Sequence, residues 1–220
     1  MNIFVLYSYI HERGGFLPRG FNDKEKQVIK AELMEKGKSL FNTFGLKKTS
    51  IGDLIKSVGI AQGSFYNFFS SKEELYFEIL EKEENLIKST LLEEIMLIND
   101  SPKEVIEKFL IHAFELIDTN VFIKQLYIEN NMEIFIRKLP SEKIAKHKRM
   151  DAEMLLRLIK KWQNEGIIID KQPKIIVGLI RSIFTISLHK NQIGEEIYDS
   201  SIKFLIELLA EGLASRRSNV

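Results

Sequence analysis

TSIGDLIKSVGIAQGSFYNFFSSKEEL, residues 49–75, is the stretch whose reading decides the fold. Ile51, Leu54, Ile55 and Val58 fall on one face of a short helix that opens at Ser50, because residues three and four apart line up on a 3.6-residue turn. Gly59 can take the positive φ of a tight turn without steric cost, and Ile60 then plugs the small core beneath it. A second short helix is expected from about Gln62 to Phe68, with Phe65 and Phe69 facing inward. Two short helices joined by a glycine turn make a helix-turn-helix.

The outer face of that second helix carries Gln62, Gly63, Ser64, Tyr66 and Asn67. Gln and Asn can pair with adenine through two hydrogen bonds, and Ser is an adaptable donor or acceptor. Gly63 would let the backbone approach a duplex closely. The helix that opens at Lys72 offers N–H groups and an ammonium that could hold a phosphate. From Leu17 to Lys72 there are ten Lys/Arg against five Asp/Glu, whereas from Glu73 onward there are 21 against 25. A basic module joined to a mildly acidic one is a weak footprint of nucleic-acid binding, and ordinary solvated surface accounts for it about as well.

Outward from this block the chain reads as helices. The first is expected over Asp23–Phe44, with Ile29, Leu33, Gly37, Leu40, Phe41 and Phe44 at helical spacing and Gly45 placed to end it in a left-handed cap. Gly37 on the apolar stripe would let another helix approach closely. Ser50 with Asp53, Ser71 with Glu74 and Ser101 with Glu104 have capping-box spacing, and Pro102 sits at a favoured first helical position. Further helices are expected over Lys72–Ile98, Pro102–Asp118, Val121–Arg137, Glu142–Glu165, Pro173–Lys190 and Glu195–Ser215; Ile167, Ile168 and Ile169 could form a strand, but between helices they fit a buried loop better. The fold class is all-α: a three-helix DNA-binding domain (23–71) after an N-terminal extension (1–22), then a larger helical domain (72–220).

Composition removes whole classes of function. The 220 residues contain no cysteine, so disulfide frameworks, thiolate nucleophiles and cysteine zinc sites are excluded and a reducing, cytoplasmic setting fits. No apolar run approaches the roughly 18 residues of a membrane span, so no membrane partner is expected. Lys48 and Thr49 after Gly45 do not make a phosphate-binding loop, because the first glycine and its spacing are missing. His11, His112, His147 and His189 are scattered without metal-ligand spacing. No catalytic residue, metal or cofactor is expected, and Glu81, Glu83 and Glu84 read as a solvated helix face.

The block Gly45, Thr49, Ser50, Ile51, Leu54, Gly59, Ile60, Gly63, Ser64, Phe65, Tyr66, Phe69, Lys72, Glu73, Glu74 and Leu75 resembles the tetracycline-repressor (TetR) family. The resemblance covers Lys24 to about Glu81; beyond it only length and helical character agree. It implies a homodimer that binds a palindromic double-stranded DNA operator, usually as a repressor, until a small-molecule inducer releases it. By position it implies phosphate contacts from Thr49, Tyr66 and Lys72, and base or groove contacts from Gln62, Gly63, Ser64 and Asn67. Ala61 departs from the pattern, since Ser or Thr commonly caps the recognition helix there. The alternative is a helical protein-interaction module that has lost DNA binding, with a helical enzyme third.

The larger half offers two kinds of candidate. Ile175–Leu188 is apolar around most of its circumference, and Ile197, Ile202, Leu205, Leu208, Leu209 and Leu213 recur at helical spacing. A helix apolar all round is buried on more than one side. Ile176, Ile180, Ile183, Leu205 and Leu209 are the candidates for a four-helix dimer interface, an internal core being the other reading. Phe109, His112, Phe114, Phe122, Gln125, Tyr127, Asn130 and Met132 mix apolar and polar character on the middle helices. That suits a small-molecule cavity, and plain helix packing nearly as well. Met1 to Ile10 lacks the basic region of a signal peptide, and Met1 to Phe16 shows neither helix period nor capping logic, nor the basic character of an N-terminal arm that reaches a minor groove. Its Arg13-Gly14-Gly15 run is what a translated ribosome-binding site would encode, so the native start is expected at Leu17.

Overall fold

The computed structural model describes residues 21–95, 100–128, 131–187 and 189–215; the expectation for Met1 to Phe16 lies outside them. Eleven helices are present among the described residues: α1 (Asp23–Lys48), α2 (Ile51–Val58), α3 (Gln62–Phe65), α4 (Lys72–Ile95), α5 (Pro102–Thr119), α6 (Val121–Ile128), α7 (Asn131–Lys138), α8 (Ser141–Asn164), α9 (Pro173–Ser187), α10 (Lys190–Ile193) and α11 (Tyr198–Leu213). The expected Val121–Arg137 helix is divided between α6 and α7, on either side of residues outside the description. The expected Pro173–Lys190 helix is described over Pro173–Ser187, and the last helix starts at Tyr198 rather than Glu195, after a turn over residues 195–197.

Capping chemistry sets the starts. Ser50 and Asp53 close a reciprocal box, as do Ser101 and Glu104, with Pro102 beginning α5. Asn22 and Glu25 close another at the head of α1. At α4 the box is altered: the Ser71 hydroxyl accepts from the Glu74 amide, but the Glu74 carboxylate takes the Ser70 amide and hydroxyl instead. Gly45 does not form a left-handed cap. At φ 76° and ψ 166° it breaks α1, and Leu46 to Lys48 add a last turn beyond the break.

Two hydrophobic cores divide the molecule. The first joins Leu33, Phe41, Leu54, Phe65 and Phe69 to the first half of α4, and also takes Phe122, Ile123 and Leu139 from later elements. Gly37 lets α1 meet α4 closely, since a Cβ there would sit 3.1 Å from Leu75 and 3.4 Å from Ile79. The second core holds Phe109, Trp162, Ile176, Ile180, Ile183, Ile202 and Ile206, the contributions of α5, α8, α9 and α11. Packing therefore changes hands along α4 rather than at its start. Ile168 is buried, and the segment is neither a strand nor a plain loop: it makes an isolated antiparallel bridge to Ala214, through Ile169 N–H to Leu213 O and Ser215 N–H to Ile167 O.

The acidic run on α4 is not a solvated face. Glu83 is buried and accepts from Asn120 Nδ2 at 3.0 Å while pairing with Lys38 of α1 at 2.7 Å. Glu81 and Glu84 face the two ring nitrogens of His147 on α8, at 3.4 and 3.2 Å. Tyr76 OH donates to Phe122 O, and Gln125 Nε2 to Asn42 O. These bonds hold the second half of the chain against α1 and α4.

Lower on α4, burial pushes the Glu74 carboxyl up. The Ser70 hydroxyl and amide and the Lys143 ammonium outweigh that effect and hold it down at about 2, below its ordinary 4.5. A depressed carboxyl contributes stability that is whole above its unfolded value and lost as pH falls through its folded one. Glu74→Gln is thus expected to lower stability by up to about 1 kcal/mol near neutrality, discounted for partial exposure. The deficit should vanish as the pH approaches 2. Urea midpoints of both proteins at pH 6 and pH 2.5 check it; an equal deficit at both would refute the assignment.

Candidate nucleic-acid interface

The helix-turn-helix is built as its sequence dictates. Ser50 N–H donates to Asp53 Oδ2 at 2.9 Å and the Asp53 amide to Ser50 Oγ at 3.1 Å, which starts α2 cleanly. The Ser50 hydroxyl and amide hold the Asp53 carboxyl below its ordinary pKa, keeping it charged at the helix N-terminus. Gly59, at φ 76° and ψ 31°, is left-handed and closes the helix through its N–H to Ile55 O. Ala61 is extended and gives no side-chain cap; α3 has four residues and continues as turns to Phe68 rather than as the helix expected there.

Phe65 and Phe69 anchor α3 from below, with rings 6.0 Å apart and almost no exposure. That orientation turns Gln62, Gly63, Tyr66 and Asn67 outward, and leaves Ser64 half-exposed. Tyr66 is 56% exposed, its ring edge-on to Phe65 at 5.6 Å, so its hydroxyl faces solvent rather than the core. A Cβ added at Gly63 would meet nothing within 4 Å. No contact inside the subunit requires glycine at this point of the helix, where it costs about 1 kcal/mol relative to alanine.

Two residues expected at phosphates are placed otherwise. Thr49 is buried, and its hydroxyl donates to Gly45 O at 2.8 Å; it closes the break in α1 and does not reach the surface. The Lys72 ammonium turns inward onto the carbonyls of Leu46, Lys47 and Thr49. The carbonyls of Leu46 and Lys47 close α1 with no further helical turn to bond them, and Lys72 caps them; the Gly45 carbonyl that takes the Thr49 hydroxyl also accepts the Thr49 amide.

The expected cavity residues do not converge. Phe109 is buried edge-on to Trp162 in the second core and Phe114 lies near Tyr198, but Phe122 is stacked on Tyr76 in the first core and Gln125 is bonded to Asn42. His112 is exposed and meets Glu94 at 2.6 Å. Asn130 and the side chain of Tyr127 lie outside the described residues.

The structure separates the dimer candidates. Ile176, Ile180 and Ile183 are buried in their own subunit, whereas Leu205 and Leu209 are only half-buried against the same core. The outward stripes are Ile175, Leu179 and Ile186 on α9, and Ile197, Phe204 and Leu208 on and just before α11. Gly178 and Gly212 on these helices face open space. A helix apolar all round carries two stripes, and only the fold tells which one the subunit uses.

Residues 33–79, which take in α2, α3 and the parts of α1 and α4 packed against them, match the family model described as "Bacterial regulatory proteins, tetR family". The N-terminal domain belongs to the TetR family. The HTH-type transcriptional regulator AcrR of Shigella flexneri is 30% identical over 92 residues, 42% of this chain and 43% of that protein. The HTH-type transcriptional repressor KstR2 of Mycobacterium tuberculosis is 39% identical over 51 residues, 23% of this chain and 26% of that protein. The chain thus matches under half the length of these curated relatives. The fold likeness extends further. A TetR-family transcriptional regulator from Pectobacterium atrosepticum superposes with TM-score 0.69 at 18% identity, over 88% of this chain and 98% of that one. FadR of Bacillus subtilis, solved with stearoyl-CoA, superposes with TM-score 0.61 at 17% identity, over 83% and 98%. At such identity the likeness concerns fold alone, and it places the TetR-type head on an all-helical body of familiar build.

Proposed function

We propose that this protein is a cytoplasmic, homodimeric, sequence-specific DNA-binding regulator of transcription, a repressor released from a palindromic operator by a small-molecule inducer. The observation that carries the reading is the outer face of α3. Gln62, Asn67 and Tyr66 are exposed there, around a glycine that nothing within the subunit needs. Ser64 stands half-exposed beside them. In a duplex complex this face enters the major groove, and Tyr66 reaches a flanking phosphate.

Two copies joined through the outward stripes of α9 and α11 would set two such faces about 34–36 Å apart, one turn of DNA. The inducer would enter the second core near Phe109 and Phe114, and act by binding the DNA-incompetent arrangement more tightly. Selection of bound duplexes from a random pool tests the reading. A palindromic consensus is expected; protein with no sequence preference at low salt would end it.

Gly63 provides a sharper test. Gly63→Ala should leave stability unchanged or raise it by up to about 1 kcal/mol, because the added methyl meets nothing in the subunit. Operator affinity should nevertheless fall about tenfold as the methyl is forced against the duplex. A variant that is more stable and binds as well as wild type would remove Gly63 from the interface.

A further inference from the structure

The Lys72 side chain has a task that its place beside the DNA-binding face conceals. Its Nζ lies 2.7 Å from Leu46 O, 3.2 Å from Lys47 O and 2.7 Å from Thr49 O. An ammonium has three protons and no acceptor, so these three carbonyls fill its donor capacity. Leu46 and Lys47 form the last turn of α1 beyond the break at Gly45, and Thr49 leads directly into the Ser50 cap of α2. The charge therefore sits at the negative end of α1, where cations are favoured. It ties the α1–α2 corner to the first residue of α4.

We propose that Lys72 is a positioning residue for DNA recognition and not a phosphate ligand: it fixes the α2–α3 reading head against α4 by capping three carbonyls. The proposal rests on the DNA-binding reading above. Its physical content is a preference for lysine over any other cation. A phosphate would accept arginine as well or better, because a planar fork matches phosphate oxygens. Three carbonyls gathered round one nitrogen suit a compact ammonium, and a guanidinium cannot aim three N–H bonds at them from one centre.

The test compares wild type, Lys72→Arg and Lys72→Met on the selected operator duplex and on a scrambled duplex across a range of potassium chloride. Both variants should lose about tenfold in operator affinity, the worth of one displaced base contact. Affinity for the scrambled duplex should stay within about threefold, which a head that had merely unfolded would not allow. The slope of log affinity on log salt should be unchanged in Lys72→Met, whereas removal of a phosphate contact lowers it by about 0.9. Arginine that binds the operator like wild type, or a slope reduced by that amount, overturns the proposal.

Should the variants fail to fold, the wild-type protein still decides. The Lys72 ammonium should give a protected proton–nitrogen resonance without DNA, and the signal should not move when the operator duplex is added. A signal that appears only with DNA would overturn the assignment. Wild type with no duplex preference would instead sink the regulator reading, while the DNA-free resonance would still test the cap.

Discussion

Glutamate at both Phe204 and Leu208 is expected to leave the protein monomeric and to lower operator affinity by at least about 100-fold, the order of the avidity that two linked half-sites provide. Both side chains are more than half exposed on α11, so within one subunit the charges remain in water and the fold is unaffected. In a dimer joined through this face they would be desolvated against Ile175, Leu179 and Ile186 of the outward stripe, a burial that charge does not tolerate without a partner. Sedimentation of the variant and wild type at micromolar concentration, with operator titrations on the same samples, checks both parts. A variant that still sediments as a dimer would move the interface elsewhere. A charge at Ile183 should behave differently, because that residue is buried in its own subunit: it should unfold the chain, not divide a pair.

Phe41→Ala is expected to destabilise the protein by about 3–5 kcal/mol, the usual cost of deleting a fully buried ring. Phe41 has no exposed surface, and its ring stands 5.0 Å from Tyr76 and 6.4 Å from Phe122. Tyr76 and Phe122 are themselves stacked at 4.0 Å. One aromatic cluster thus fastens α1, α4 and α6 together, beside the Glu83 ion pair with Lys38. The loss approaches the whole margin of many domains, so the variant should unfold at a much lower urea concentration. A loss under about 1 kcal/mol would show that the three rings do not pack as one unit.

The helix-turn-helix was legible residue by residue. Its signals are local: a capping box at Ser50, a positive φ that suits glycine at Gly59, and apolar spacing that turns Phe65 and Phe69 inward. Each operates between residues fewer than about five apart, so a linear reading contains both partners. The same holds for the caps at Ser101 and Asn22, whose partners Glu104 and Glu25 stand three residues on. Gly37 was read correctly as a point of close approach, because a small residue on an apolar stripe has few other uses.

Tertiary structure decided whatever depends on a partner distant in the chain. Lys72 has the residue type of a phosphate ligand, and only the return of α4 to the end of α1 shows it bonded to carbonyls. Glu83 has the composition of a surface residue until Lys38 and Asn120 are brought to it from either side. The candidate cavity residues were divided between two cores because composition records polarity but not which helices face each other. On α9, apolar on two faces, Ile176 and Ile175 are equivalent by hydropathy, and packing alone assigns one to the core and leaves the other outside. Backbone conformation and capping are short-range and were written in the sequence; the facing of one helix toward another is a property of the whole packed chain.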